Sequence, residues 1–175
     1  MSVKRMLMIA SSVAIIFVQE QALLFLPNVQ FTVLLIILFS SVFTFKESTL
    51  MILVYVFLDS LYMGALNPFT VVPLVIAWML IPIAYNSILR RSNNEFVLAI
   101  FALFFGFIFG WVFIPFNMIQ TGIMNPLPYL IADLPFEAIM AGTGFLTVVW
   151  AYKPLKIVMN QLLYGAEYYT AKSKN

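Results

Sequence analysis

Three stretches of the chain, 21–45, 60–89 and 96–132, contain no Asp, Glu, Lys or Arg. A hydrocarbon core takes about 20 apolar residues per helix, so each stretch is long enough to hold a membrane span. Charged residues make up 9% of the 175, and 63% are hydrophobic. A typical soluble domain is about 25% charged. Nine basic and seven acidic residues do not cover the surface of a soluble protein of this size. An ordinary soluble domain and a disordered chain are both excluded. The class that remains is an all-α integral membrane protein. Six spans would use about 120 residues and leave no room for a soluble domain.

The chain reads as a single six-helix transmembrane domain over 1–175, with spans over about 3–26, 30–45, 48–66, 69–89, 96–116 and 134–152. The breaks are Pro27-Asn28, Lys46-Glu47, Asn67-Pro68, the polar run 90–95, and a loop over 117–133 that contains Gly122, Pro126 and Pro128. Leu134-Pro135, with Asp133 just before it, reads as the start of the last span. Pro154 reads as its kink or end, ahead of an interfacial tail over 153–175. Lys4 and Arg5 precede an apolar run that reaches Pro27 without a clear cleavage site, so this run is expected to be the first span rather than a removable leader.

Basic residues orient the spans. With the N-terminus inside, the inside segments hold Lys4, Arg5, Lys46, Arg90, Arg91, Lys153, Lys156, Lys172 and Lys174, which are all nine basic residues. Omitting one span would break this pattern, so the expected topology has both termini in the cytoplasm.

The acids divide differently. Glu47, Glu95 and Glu167 sit beside inside basic residues, whereas Glu20, Asp59, Asp133 and Glu137 fall in the outer half with no basic partner nearby in sequence. Ionisable groups in a bilayer are costly and face the protein interior or a wet cavity. The functional reading is an outward-facing polar pocket suited to a cationic, amine-bearing or hydroxylated ligand. The structural alternative is helix packing or headgroup exposure, with Asp133 capping the last helix. Tyr62, Asn67, Asn117, Gln120, Asn125 and Tyr129 fall near outer helix ends, and Trp78 and Trp111 in the outer halves of their spans. They suit a stacked ligand, or an interfacial aromatic belt. The chain has no Cys and no His, which excludes disulfides, thiolate nucleophiles, Cys/His metal sites and histidine catalysis. No G-x-x-x-x-G-K-[ST] phosphate loop and no D-x-x-D pair is present, so neither ATP hydrolysis nor another enzymatic activity is expected of this chain. No cofactor and no nucleic-acid partner are implied.

Ala10 and Ala14 lie one turn apart on the first span with Ser11 and Ser12 between them. Small residues at this spacing let another helix approach closely. Gly106 and Gly110, and the run Ala138, Ala141, Gly142 and Gly144, read as internal packing.

A small six-helix protein with these features resembles the substrate-binding S component of energy-coupling factor (ECF) vitamin transporters. Ala10-x-x-x-Ala14 resembles the alanine motif through which S components dock. Leu26-Pro-Asn-Val-Gln-Phe-Thr-Val-Leu-Leu34 is similar to the family's loop between helices one and two, and Leu58-Asp-Ser-Leu-Tyr-Met-Gly64 to its third-helix end. Leu134-Pro-Phe-Glu-Ala-Ile139, running on to Tyr152-Lys-Pro-Leu155, resembles the last span. Met140-Ala-Gly-Thr-Gly144 departs from the pattern, because many members have His or Asn there. The resemblance implies a subunit of the bacterial cytoplasmic membrane that binds a vitamin-like micronutrient from outside. It also implies docking, through Ala10 and Ala14, on a coupling transmembrane protein with two ABC ATPases. Ligand contacts are expected from Asp59, Tyr62, Asn67, Trp78, Asn117, Gln120, Asn125, Tyr129 and Glu137. A cell-shape membrane protein of the MreD type, of similar size and span count, is the competing expectation and needs no pocket.

Overall fold

Local capping chemistry sets most of the helix boundaries. The computed structural model describes residues 2–92 and 94–164, and they are all-helical. Six α-helices follow one another: α1 (Val3–Ala22), α2 (Thr32–Ser40), α3 (Phe45–Tyr62), α4 (Pro68–Ser87), α5 (Glu95–Thr121) and α6 (Leu127–Tyr164), with a single 3-10 turn at Leu89–Arg91. Ser2 caps α1. Thr44 and Glu47 form a reciprocal capping box that starts α3 three residues earlier than expected, at Phe45. Asn67 caps α4, with Pro68 at its first position. Gly122, at φ 76°, closes α5 in the left-handed conformation.

The helix count agrees with the sequence, and several lengths do not. Helix α1 ends at Ala22, and turns occupy the following residues where the span was expected to run to residue 26. Helix α2 has nine residues, about 14 Å of rise, against the span expected over 30–45. Helix α5 continues through Pro115 to Thr121, five residues past the expected end. Helix α6 starts at Leu127 and runs through both Pro135 and Pro154 for 38 residues. The expected loop over 117–133 is therefore helical except around Gly122–Pro126. The expected tail over 153–175 is helix as far as Tyr164, and its remainder lies outside the described residues. Proline in a long apolar helix is tolerated where neighbouring helices and hydroxyl side chains satisfy the freed carbonyls.

Three helices, α4, α5 and α6, are long and apolar enough to cross a membrane. Helices α1 and α3 have 20 and 18 residues but carry three charged side chains each: Lys4, Arg5 and Glu20, and Lys46, Glu47 and Asp59. Many large side chains on the outside are apolar, among them Val18, Phe57, Phe104 and Trp150. That surface is compatible with lipid.

Helix α2 lies at the centre. All nine of its residues are buried, and it touches each of the other five helices. Consecutive helices run in opposite directions, as two ion pairs record. Arg5 Nε lies 3.6 Å from Glu47 Oε1, joining the starts of α1 and α3. Lys153 Nζ lies 2.5 Å from Glu95 Oε1, joining late α6 to the start of α5. Every described basic residue (Lys4, Arg5, Lys46, Arg90, Arg91, Lys153 and Lys156) belongs to this end of the bundle. Glu167, Lys172 and Lys174 lie outside the described residues.

Helices α5 and α6 form the most extensive helix pair, and glycine makes the approach possible. A Cβ at Gly106 would fall on the backbone of Ala141 and 2.8 Å from its Cβ. A Cβ at Gly110 would strike the Glu137 carboxylate, and one at Gly144 would sit 3.4 Å from the Ala102 carbonyl. The expected internal role of these small residues is thus observed for Gly106, Ala141 and Gly144.

Candidate functional site: two carboxylate pockets

At the end opposite the basic residues, the segment from Leu23 to Phe31 folds back against the bundle. Gln19 anchors it: the backbone N–H of Phe31 donates to Gln19 Oε1 at 2.9 Å, and Gln19 Nε2 donates to Thr32 Oγ1 at 2.7 Å. The turn is made by Pro27 and Asn28, and Asn28 holds φ 59°, a left-handed conformation that Asn tolerates better than most residues. The Asn28 carbonyl lies 3.2 Å from Thr143 Oγ1 on α6. Thr143 falls 16 residues into α6, about 24 Å along its axis, so the start of α6 extends well past the level of this largely exposed turn.

Asn28 stands between two pockets. The first, about 260 Å³, is walled by the turn itself and lined by Glu20 from α1 and Asp59 and Met63 from the end of α3. Tyr55 donates its hydroxyl to the Glu20 carboxylate. Gln21 Nε2 donates to Asp59 Oδ1 at 3.2 Å. Both acids here have protein partners.

The second pocket, about 270 Å³, lies between α5 and α6. Phe109, Phe113 and Phe136 give it aromatic walls, with Asn117, Asp133 and Glu137 as its polar groups beside Asn28. Asp133 and Glu137 are four residues apart and share one face of α6. Glu137 is 4% exposed, and neither of its carboxylate oxygens has a hydrogen-bond partner among the described residues. An unpartnered buried carboxylate is costly. It lies against Gly110, the one place on that turn of α5 where no side chain blocks it.

Glu20, Asp59, Asp133 and Glu137 therefore gather in two adjoining pockets at the end away from the described basic residues, as the sequence pattern suggests. The other candidates separate. Asp59, Asn117 and Glu137 line the pockets. Asn67 spends its amide on capping: it accepts from the Thr70 N–H at 3.1 Å and donates to Thr70 Oγ1 at 3.0 Å. Asn125 similarly accepts from the Leu127 N–H at 3.1 Å. Tyr129 ties the start of α6 to the end of α5 through Thr121 and the Asn117 carbonyl. Tyr62 is exposed and packs edge-on against Phe17, and Gln120 is exposed near the end of α5. Trp78 is 1% exposed, packed among Tyr55, Phe105 and Phe109, so it is a core residue rather than a pocket wall. Trp111 is exposed. Asp133 stands inside α6 and does not cap it. Ala10 and Ala14 are both exposed on α1.

Sequence reasoning misses Asn28, Gln21 and Tyr55, and the three phenylalanines. The Pro27-Asn28 turn signal could have pointed to Asn28. The phenylalanines are lost among the chain's 18. Comparison with family models, curated proteins and solved structures finds no match to this chain.

Proposed function

We propose that this chain is a membrane-embedded solute-binding subunit for uptake, of the kind represented by ECF S components. The observation that carries the reading is the pair of adjoining carboxylate pockets at one end of a bundle whose described basic residues all belong to the other end. In this reading all six helices lie in the bilayer, α2 completing its crossing with the turns that flank it. Both termini are cytoplasmic under the positive-inside rule, and the pockets open outward. A solute enters between the Leu23–Phe31 segment and α6. The energy comes from partners, since the sequence has no phosphate-binding loop. The exposed Ala10 and Ala14, on the α1 face nearer the basic end, are the docking surface for a coupling membrane protein that carries two ABC ATPases.

The test is copurification. A C-terminally tagged chain is extracted from native membranes in mild detergent and its partners are identified by mass spectrometry. Two ABC-type ATPases with a membrane protein are expected with the wild type and not with Ala10→Trp, and the variant should lose uptake. Cell-wall or cytoskeletal partners would favour a cell-shape role instead. Normal uptake by Ala10→Trp would remove the docking assignment.

A further inference from the structure

We propose that the ligand of the α5–α6 pocket is a compact organic ammonium ion with an apolar or aromatic body, and that Glu137 is its anchoring counter-ion. The inference takes the solute-binding reading as its premise and names the chemistry of the solute. Four features lead to it. Glu137 is almost fully buried, lines the cavity, and has two carboxylate oxygens without a partner among the described residues. Its neighbour Asp133 adds a second negative charge on the same wall, while no described basic residue belongs to this end. Phe109, Phe113 and Phe136 present ring surfaces that attract a cation and accept an apolar body. The volume of about 270 Å³ lies just under the range of about 300–1,000 Å³ for drug-sized sites, so the ligand is small.

The geometry distinguishes this pocket from its neighbour. Glu20 and Asp59 are already engaged by Tyr55 and Gln21. Glu137 has room beside Gly110 and forms no hydrogen bond of normal geometry, with the Trp111 indole N–H as a neighbouring donor. One indole N–H cannot satisfy both oxygens of a carboxylate in a buried wall, which leaves a place for a donor that arrives with the ligand.

The test uses the detergent-purified full chain and two probes of nearly equal shape, benzylammonium and benzyl alcohol. Binding is read by titrated thermal shift on the wild type, Glu137→Gln and, as a control at the opposite end of the bundle, Glu95→Gln. The wild type should prefer benzylammonium by at least about tenfold, the scale of a hydrogen bond to a charged group. Glu137→Gln should lose that preference, and Glu95→Gln should keep it. Equal binding of the two probes to the wild type, or no binding of benzylammonium, overturns the assignment without any variant. Preference retained by Glu137→Gln overturns the role of Glu137. The outcome is separable from that of the transport reading. Copurifying ATPases without cation preference would leave the transporter and remove the ammonium. Cation preference without ATPases would leave the site and remove the transporter.

Discussion

Gly106 faces the backbone of Ala141 so closely that alanine there must push α5 and α6 apart. The added Cβ would stand 2.8 Å from the Ala141 Cβ, where carbon atoms settle at about 3.5–4.0 Å. The shortfall approaches 1 Å and is set against main chain, which has no rotamer to change. Overpacking of this kind costs about 1–3 kcal/mol. Against it stands the gain of about 0.5–1 kcal/mol from replacing a helical glycine by alanine. Gly142, the residue after Ala141 on α6, has nothing within 4 Å of its would-be Cβ. Gly142→Ala therefore takes the helix gain without the clash. The difference between the two variants cancels the propensity and isolates the packing, about 1–3 kcal/mol. At about 2–4 °C per kcal/mol for a chain of this length, Gly106→Ala should unfold roughly 2–12 °C below Gly142→Ala in detergent, followed by far-UV circular dichroism. Because Gly106 also lines the α5–α6 pocket, probe binding should weaken in the same variant. Equal midpoints for the two variants would refute the close approach of α5 to α6 and the shape of the pocket built on it.

Glu137→Met should raise the midpoint of the ligand-free protein, since it removes a buried carboxylate without a partner, worth about 1–3 kcal/mol; a lower midpoint would mean that the carboxylate is satisfied. Asn28→Val should destabilise by about 1–2 kcal/mol, because a β-branched residue is forced into the left-handed region at φ 59°, whereas Asn28→Gly should be tolerated; chemical denaturation of the two variants checks this. At the opposite end, just ahead of the span expected from residue 48, burial pulls the Glu47 carboxyl up. Two hydrogen bonds from Thr44 and the Arg5 charge outweigh that pull and hold it below its ordinary 4.5. A lowered acid stabilises the fold above its ordinary value and stops doing so as pH falls through the lowered one. The midpoint of the wild type should therefore exceed that of Glu47→Gln above pH 4.5, and the gap should close as pH drops below it.

Helix number and the clustering of four acids away from the basic residues were legible because both depend on patterns one residue wide: apolar runs between polar breaks, and charge sign along the chain. Helix ends were less so. Lys46-Glu47 reads as a stop signal, yet Glu47 is half of a capping box with Thr44 and marks a start. Asn67 and Asn125 look like ligand amides, but each is consumed by the helix it opens. Nothing in a single sequence distinguishes an asparagine that caps from one that binds when both stand beside proline. Trp78 sits in an outer half by residue count, and which face of α4 it occupies depends on how Tyr55, Phe105 and Phe109 pack. The pairing of Gly110 with Glu137 is the least legible feature. Their 27 residues of separation in the chain are closed only by the α5–α6 turn and the register of the seam.

The outward opening of the acid-lined pockets is the point on which uptake stands, and the absence of cysteine from the chain makes it directly measurable. Met124→Cys reports the end bearing the pockets and Ser92→Cys the end bearing the basic residues, each probed in intact cells with a membrane-impermeant maleimide. Labelling of Met124→Cys in intact cells, with Ser92→Cys labelled only after permeabilisation, is the expected result. The reverse pattern would put the pockets on the cytoplasmic side and contradict uptake from outside.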